Sequence, residues 1–319
     1  MAVYTEVDDE ELEAFVASYD IGTLVSAKGI AEGVENSNYL IQTTRGPWIL
    51  TLYEKRVAKA DLPFFMNLME HCAARGIDCP LPIHDRDGQV IREIAGRPAV
   101  IVSFLQGMSP RRVALEHCAP LGMALAKLHV AVSDFTMSRE NSLSVEGWHK
   151  LVAGARPRAD EVQPGLGDEI ARELDFLEPR WPERLPAGVI HADLFPNNVF
   201  FLGDRLSGLI DFYFACNDFL AYDVAICLNA WCFESDLSFN ATKAMRLVGG
   251  YRQIRALSAP EIDALPLLAR GAAFRFLLTR LYDWQHTPTG ALVKPLDPIE
   301  YLRKLRFHRS VESAAAYGI

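Results

Sequence analysis

The chain has 319 residues, 50% of them hydrophobic and 23% charged, a balance that buries a sizeable core and excludes global disorder. Its 32 basic and 41 acidic residues give a net charge of -9, which argues against an extended nucleic-acid or anionic-membrane surface but not against a local basic pocket for one phosphorylated ligand. At roughly 150 residues per domain, the length suggests about two domains or lobes.

The first residues, MAVYTEVDDEELEAFVASYD, are acidic where a signal peptide would be basic and then apolar, so a cytoplasmic protein is expected. Leu24 to Ile30, Asn38 to Thr44 and Trp48 to Tyr53 are β-rich runs, broken at Glu32-Gly33 and Arg45-Gly46-Pro47. Asp61 to Arg75, with an Asp cap, an early Pro and apolar residues at helical spacing, predicts an amphipathic helix. Gln89 to Ile94 and Arg97 to Phe104 read as two further strands joined at Ala95-Gly96. Residues 1-104 thus predict an α+β lobe, a small antiparallel sheet with one helix.

Gln106 to Pro110 is the expected connector. Residues 105-319 predict a larger helical lobe, with helices at Cys118 to Ala131, Gly167 to Leu177, Tyr222 to Phe233, Ala241 to Ile254, Ala259 to Trp284 and Pro298 to Ala316. A β-hairpin between Val189 and Phe212 interrupts them, and Pro157 to Gly167 reads as a surface excursion. The most apolar stretch, Phe212 to Phe233, is broken by Asp218, Asp223 and two asparagines, so no membrane span is expected. The six cysteines form no CxxC pair and the eight histidines no HExxH motif. The thiols read as reduced, packed side chains, and any metal should be held by oxygen ligands.

The chemistry concentrates in Gly188 to Ala215, where Asp193, Asn198 and Asp211 border the apolar runs Val199 to Leu202 and Leu206 to Ile210. Centring the hairpin turn on Asp204-Arg205 sets Asn198 beside Asp211. Two oxygen ligands at a hairpin mouth suit Mg²⁺, which completes its octahedron with phosphate oxygens and water. Asp193, one loop earlier, faces the same space in this reading and is placed to accept the proton of an attacking hydroxyl, the division of labour of phosphoryl transfer. A single Asp in such a loop would more simply cap a turn; the trio is what favours chemistry.

His191-Ala192-Asp193 followed by Asn198 is similar to the HxDxxxxN catalytic loop of the aminoglycoside phosphotransferase and choline kinase superfamily, and Ile210-Asp211-Phe212 resembles its metal-binding Asp motif. Asn217-Asp218 with Tyr222-Asp223-Val224-Ala225 resembles its GDP...DLA element, and Leu121-Gly122, Leu125-Ala126 and Leu128-His129 its LG..LA.LH helix. A finer resemblance, to the homoserine kinases of this fold, rests on the blocks Gly29 to Tyr39, Leu50 to Arg56, Asp61 to Phe65 and Ile190 to Trp231. The resemblance implies a protein kinase-like two-lobe fold, with a nucleotide-binding lobe followed by a catalytic and substrate-binding lobe. The reaction it implies is ATP-dependent phosphorylation of the side-chain hydroxyl of L-homoserine, a step toward threonine, with Mg²⁺.

By the same resemblance Asp193 is the catalytic base, Asn198 and Asp211 hold Mg²⁺, and His191 and Asp223 support the loop. The segment with Gly33, Asn36, Ser37 and Asn38 covers the ATP phosphates, and backbone near Ser103, Phe104 and Leu105 meets adenine. Related kinases carry a Lys or Arg on the third strand, where this chain has Thr51. Either Lys55 substitutes or the metal and loop amides carry more of the phosphate charge, Lys55 then being a solvated strand-end lysine; Glu70 is either the helix acid or part of a solvated face. For the zwitterionic acceptor, Tyr213, Asn217, Trp231, Arg280, Asp283 and Trp284 are candidates. Arg280 and Asp283 equally suit an intrahelical ion pair, and the aromatics equally suit a core. A kinase for choline or an aminoglycoside, and a non-catalytic nucleotide sensor of the same fold, are the competing readings.

Overall fold

The computed structural model of the protein describes residues 5-30, 36-54, 57-287 and 295-319. The chain packs as two compact units, Met1–Gly107 with Ser207–Tyr213, and Met108–Leu206 with Phe214–Ile319. The short excursion 207-213 therefore belongs with the sheet unit rather than with the helical one, unlike the simple boundary expected from sequence. Its anchors are local to that unit: Ser207 Oγ donates to Gln106 O at 2.8 Å, and Leu209 N to Asp78 O at 2.8 Å.

The first unit opens with a helix absent from the sequence expectation, α1 (Asp9–Ala17). Its signal is present in the sequence: Asp8 caps it by accepting from Glu10 N and Glu11 N, and the acidic first turn suits the helix dipole. Leu12, Phe15 and Val16 bury against the sheet, each contributing about 1.5-3 kcal/mol. The strands are β1 (Leu24–Gly29), β2 (Ser37–Thr43) and β3 (Gly46–Leu52), followed by α2 (Leu62–Ala74), β4 (Arg92–Ile94) and β5 (Arg97–Ser103). They form one antiparallel sheet in the order β1-β2-β3-β5-β4. Ala99 and Ile101 join the cluster under α1; Val100 and Val102, also buried, face the opposite side because strand side chains alternate. The sheet is thus covered on both faces. Ala95 and Gly96 both have positive φ and close the tight β4-β5 turn.

The second unit contains α3 (Leu115–Ala131), α4 (Val145–Ala155), α5 (Leu166–Leu177), β6 (Ala187–Ile190), and β7 (Val199–Leu202) with β8 (Arg205–Leu209), whose end passes into the first unit. It continues through β9 (Cys216–Phe219), α6 (Leu220–Trp231), α7 (Ala241–Arg252), α8 (Ala259–His286) and α9 (Pro298–Arg309). Helix α9 ends earlier than expected, and Ala314–Tyr317 is a separate 3-10 turn. Helix α4 is also additional to the sequence expectation, although Trp148, Val152 and Ala155 bury at helical spacing.

Two strand findings bear on chemistry. β6 pairs antiparallel with β9, not with its neighbours in sequence, so Ile190 lies opposite Cys216. The β7-β8 turn is Gly203-Asp204, one residue earlier than expected, so counting across the hairpin no longer sets Asn198 opposite Asp211. Gly203 takes φ +60, which favours glycine and draws the turn to it.

Helices α3 and α7 meet at backbone contact. A Cβ on Gly122 would lie 1.9 Å from Leu247 O, and one on Gly250 2.2 Å from Ala119 O. Only glycine at both positions permits this approach. No helix among the described residues is long and apolar enough to cross a membrane.

Candidate active site

The chain leaves β6 at Ile190 and re-enters a strand at Val199. Between them Ala192 is held at φ +63, a left-handed conformation that strains any residue with a Cβ. Side chains from two helices hold it there. Asp223 of α6 accepts from His191 N at 2.7 Å and Ala192 N at 3.0 Å. Arg275 of α8 donates to Ala192 O at 2.7 Å, and Trp231 Nε1 of α6 donates to Leu194 O at 2.7 Å. The second end of the loop closes on itself, with Phe195 N donating to Asp193 O and Asn198 N to Phe195 O around the 3-10 turn Pro196–Asn198.

That turn brings Asn198 back to Asp193. Its Nδ2 donates to Asp193 O at 2.8 Å and to Asp193 Oδ2 at 3.0 Å. The half-buried Asp193 carboxylate is therefore tethered. Because the amide nitrogen of Asn198 is committed to Asp193, the side chain offers its oxygen Oδ1 to the other side, where Asn197 Nδ2 donates at 2.9 Å. An amide oxygen and a carboxylate are the hard donors that a divalent cation such as Mg²⁺ takes. Among the described residues no three or more His, Cys, Asp or Glu side chains gather as an all-protein metal site. The donor set thus fits a cation that completes its shell with phosphate oxygens and water.

The loop's supports are charged and buried. Burial opposes ionisation of Asp223, yet the hydrogen bond from His129, the charges of His129 and His191 and the His191 amide hold its carboxyl below the usual range. Arg275 is only 2% exposed and lies 4.4 Å from the Phe276 ring centre. Asp218 accepts from Asn141 Nδ2 at 2.6 Å and from Phe219 N at 2.7 Å, while burial pushes its carboxyl up.

Asp211 belongs to the first unit, at φ +66 just before the 3-10 turn Phe212–Phe214. Next to it Tyr213 meets Tyr53, hydroxyl to hydroxyl at 2.9 Å and ring to ring at 5.2 Å, with Phe65 of α2 edge-on at 5.7 Å. Burial pushes the Tyr213 hydroxyl up to about 12. Tyr213 is thus tied to Tyr53, just past the end of β3, and to α2.

The expected nucleotide residues of that unit are engaged within it. Ser37 is fully buried, donates to Glu54 Oε1 at 2.7 Å and accepts from Thr5 N at 3.1 Å. Asn36 Oδ1 accepts from Glu54 N at 3.4 Å. Asn38 Oδ1 accepts from the hydroxyl of Thr51 at 2.8 Å, so the position where related kinases carry a basic residue is a buried sheet contact. Ser103 bonds Leu81 through both its backbone N and its side chain, and Leu105 packs over Gly208. Glu70 accepts from His84 at 2.6 Å. Gly33 and Lys55 lie outside the described residues.

Two of the acceptor candidates have their polar groups engaged by neighbouring protein. Trp231 is fully buried and donates to the loop, and Asn217 Oδ1 in β9 accepts from Ser138 Oγ and Arg139 N. Arg280 reaches across helices, donating to Glu300 Oε2 at 2.6 Å and to Asp297 O at 3.1 Å. Asp283 accepts from Thr287 at the end of α8, and Trp284 is 38% exposed. Residues that sequence reasoning passed over are Arg275, Tyr301, Glu300 and Lys304. Tyr301 is fully buried, with Arg280 and Lys304 about its ring and Asp193 near enough to raise its hydroxyl further above the range that burial sets. Nothing in the local pattern distinguishes an α8 arginine that reaches a loop from one that reaches solvent.

A model of the phosphotransferase enzyme family matches residues 26–257. The homoserine kinase of Paramagnetospirillum magneticum is 64% identical over 325 residues, covering 100% of both chains. That of Xanthobacter autotrophicus is 65% identical over 100% of this chain and 99% of its own. Among solved structures, a microcompartment-associated aminopropanol kinase superposes with a TM-score of 0.71 at 19% identity, over 98% of this chain and 97% of that one. An amicoumacin kinase gives 0.70 at 15% identity, over 96% and 93%; these two speak to the fold alone. The chain belongs to the phosphotransferase enzyme family, within the group of its full-length relatives that are homoserine kinases.

Proposed function

We propose that this protein transfers the γ-phosphoryl group of ATP to the side-chain hydroxyl of L-homoserine, giving O-phospho-L-homoserine and ADP. The observation that carries the chemistry is the tether of the Asp193 carboxylate by the Asn198 amide inside a loop pinned from two helices. The acceptor's identity rests on likeness to homoserine kinases along the whole length.

In this reading Asp193 accepts the proton of the acceptor hydroxyl as that oxygen bonds to the γ-phosphorus and the bond to the ADP oxygen breaks. Its fixed position supplies orientation, which is the larger part of catalysis when little covalent chemistry is left to the protein. Asn198 Oδ1 and the Asp211 carboxylate would hold Mg²⁺, which neutralises phosphate charge when bound. Among the acceptor candidates, Arg280 with Glu300 carries the pair of opposite charges that a zwitterionic amino acid needs. Gly33, Asn36, Ser37, Asn38 and Lys55 remain assigned to the phosphates, with backbone near Ser103 and Leu105 for adenine.

The test is ATP turnover with L-homoserine, L-serine, choline and kanamycin as acceptors. A kcat/KM for homoserine at least about 100-fold above the others supports the proposal. Preference for any other member of the panel defeats it.

A further inference from the structure

Helices α8 and α9 carry a second buried polar cluster, apart from the contacts that hold Ala192. Glu300 of α9 stands between two cations: Arg280 Nη1 of α8 reaches its Oε2 at 2.6 Å, and Lys304 Nζ, one turn along α9, its Oε1 at 2.6 Å. Lys304 also donates to Asn229 O at 3.0 Å. Both cations lie over the ring of Tyr301, the guanidinium 4.4 Å and the ammonium 4.5 Å from its centre. Two positive charges thus share one carboxylate whose oxygens are both engaged, and the cluster keeps an excess of positive charge. Asp297, which caps α9, is exposed and accepts from Ile299 N, so solvent screens it. Asp193 and Arg275, the more distant charges acting on the Tyr301 hydroxyl, are of opposite sign.

Two sets of donors in this cluster are unspent. Both bonds of Arg280, to Glu300 and to Asp297 O, leave through Nη1, so its Nε and Nη2 donate to nothing among the described residues. That edge presents two parallel N–H groups, the fork that grips a carboxylate through both oxygens. The Tyr301 hydroxyl is fully buried and has no hydrogen-bond partner among the described residues. Buried hydroxyls are paired as a rule, because a dry one forfeits its hydrogen bonds to water. Both donors adjoin the reacting carboxylate. The charge of Asp193 acts on the Tyr301 hydroxyl, and the ring of Phe195, just beyond Asp193 in the loop, lies 6.4 Å from that of Tyr301 and 4.9 Å from that of Phe276, one turn before Arg280.

We infer that the Nε–Nη2 edge of Arg280 and the Tyr301 hydroxyl bind the α-carboxylate of the acceptor, and that the protein therefore selects its acceptor by this carboxylate rather than by the ammonium group. The inference deepens the homoserine reading above and rests on it for the transfer itself, but not for binding of the anion. An acceptor that carries only positive charge meets an excess of like charge here and leaves both donors unpaired, which is how a polar site rejects a ligand. Glu300, held by two cations, has little charge left to offer an ammonium.

The experiment sets L-homoserine beside its two halves, 4-hydroxybutanoate, which keeps the carboxylate, and 3-amino-1-propanol, which keeps the ammonium. Turnover of each and its binding by calorimetry are measured for wild type, Tyr301→Phe and Arg280→Lys in the full chain. In wild type 4-hydroxybutanoate should exceed 3-amino-1-propanol in kcat/KM by at least about 10-fold. Tyr301→Phe removes a hydroxyl that has no partner in the free protein, so its urea midpoint should match or exceed that of wild type. Its KM for homoserine and for 4-hydroxybutanoate should rise about 10- to 100-fold, with kcat within about threefold and 3-amino-1-propanol affected less than about twofold. Arg280→Lys keeps the charge but loses the fork, and should weaken the same two acceptors at least as much. Preference for 3-amino-1-propanol, or an unchanged KM for homoserine in Tyr301→Phe, overturns the inference; the latter is what a hydroxyl satisfied by a buried water alone would give. If Tyr301→Phe does not fold, Arg280→Lys decides on the same comparison of the two halves. A wild type that turns over none of the three, yet binds 4-hydroxybutanoate more tightly than Tyr301→Phe does, would refute the homoserine reading and leave the carboxylate subsite standing; one that binds neither carboxylate overturns both.

Discussion

The sheet unit and the helical unit use polar side chains in opposite ways. In the sheet unit Asn38, Thr51, Ser37 and Glu54 bond one another or adjacent backbone, and their partners lie on neighbouring strands or close by them. In the helical unit Asp223, Arg275 and Trp231 are drawn from α6 and α8 and spend hydrogen bonds on one short loop, with His129 of α3 bonding Asp223 behind them. The first pattern stabilises a scaffold whose backbone is left for recognition. The second stabilises a strained geometry at the expense of buried charge, as a site that must hold one carboxylate in place requires.

Replacements can break or sharpen this contrast. The largest effect is expected from Asp193→Asn: turnover should fall about 100- to 10,000-fold with ATP affinity, measured calorimetrically, retained. Near-normal turnover would remove the carboxylate from its role. Gly250→Ala should destabilise by about 1-3 kcal/mol or more in urea unfolding, because its Cβ meets the Ala119 backbone, which has no rotamer to escape by. A neutral outcome would mean that α3 and α7 are free to separate.

Acidification separates the two units in sign. His308 of α9, bonded to Tyr317 and Asn229, is pushed down to about 3 by burial and then by the Lys304 charge. Its folded value lies below its unfolded value near 6.5, so its contribution is complete above that pH and is lost as pH falls toward about 3. The slope is about 1.4 kcal/mol per pH unit within that window. His84 of the sheet unit moves the other way, raised by bonds to Gly88 O and Glu70. Its small contribution, an exposed one, is present at low pH and lost as pH rises through its folded value. Urea midpoints of wild type and His308→Asn at pH 7 and pH 5 should show wild type losing more stability on acidification than the variant; parallel loss would exclude His308 as the cause.

The smallest effect is reserved for Thr51→Val, which strands Asn38 Oδ1 and should cost about 1 kcal/mol with turnover changed less than about twofold. Tenfold loss of turnover at unchanged stability would show that Thr51 faces a ligand, and the contrast between the units would fail there.

Much of this architecture is written locally. Alternation marked the strands of the sheet, helical spacing with caps marked most helices, and the order of Asp193, Asn198 and Asp211 around apolar runs pointed to phosphoryl transfer before any coordinates. Helices α1 and α4 were equally legible, since Asp8 and the acidic turn, and Trp148 with Val152, carry ordinary helix signals. The hairpin turn was misplaced by one residue because the choice between Gly203-Asp204 and Asp204-Arg205 depends on which residue takes positive φ.

What the sequence by itself determined was most of the elements and the family motifs, because periodicity and short motifs are properties of neighbours along the chain. The tertiary structure alone decided the pairing of β6 with β9, the grip of Arg275 on Ala192, the turn of Trp231 toward Leu194 and the contact of His129 with Asp223. Each joins residues far apart in sequence, and each exists because a buried polar group must find a partner wherever packing brings one within reach.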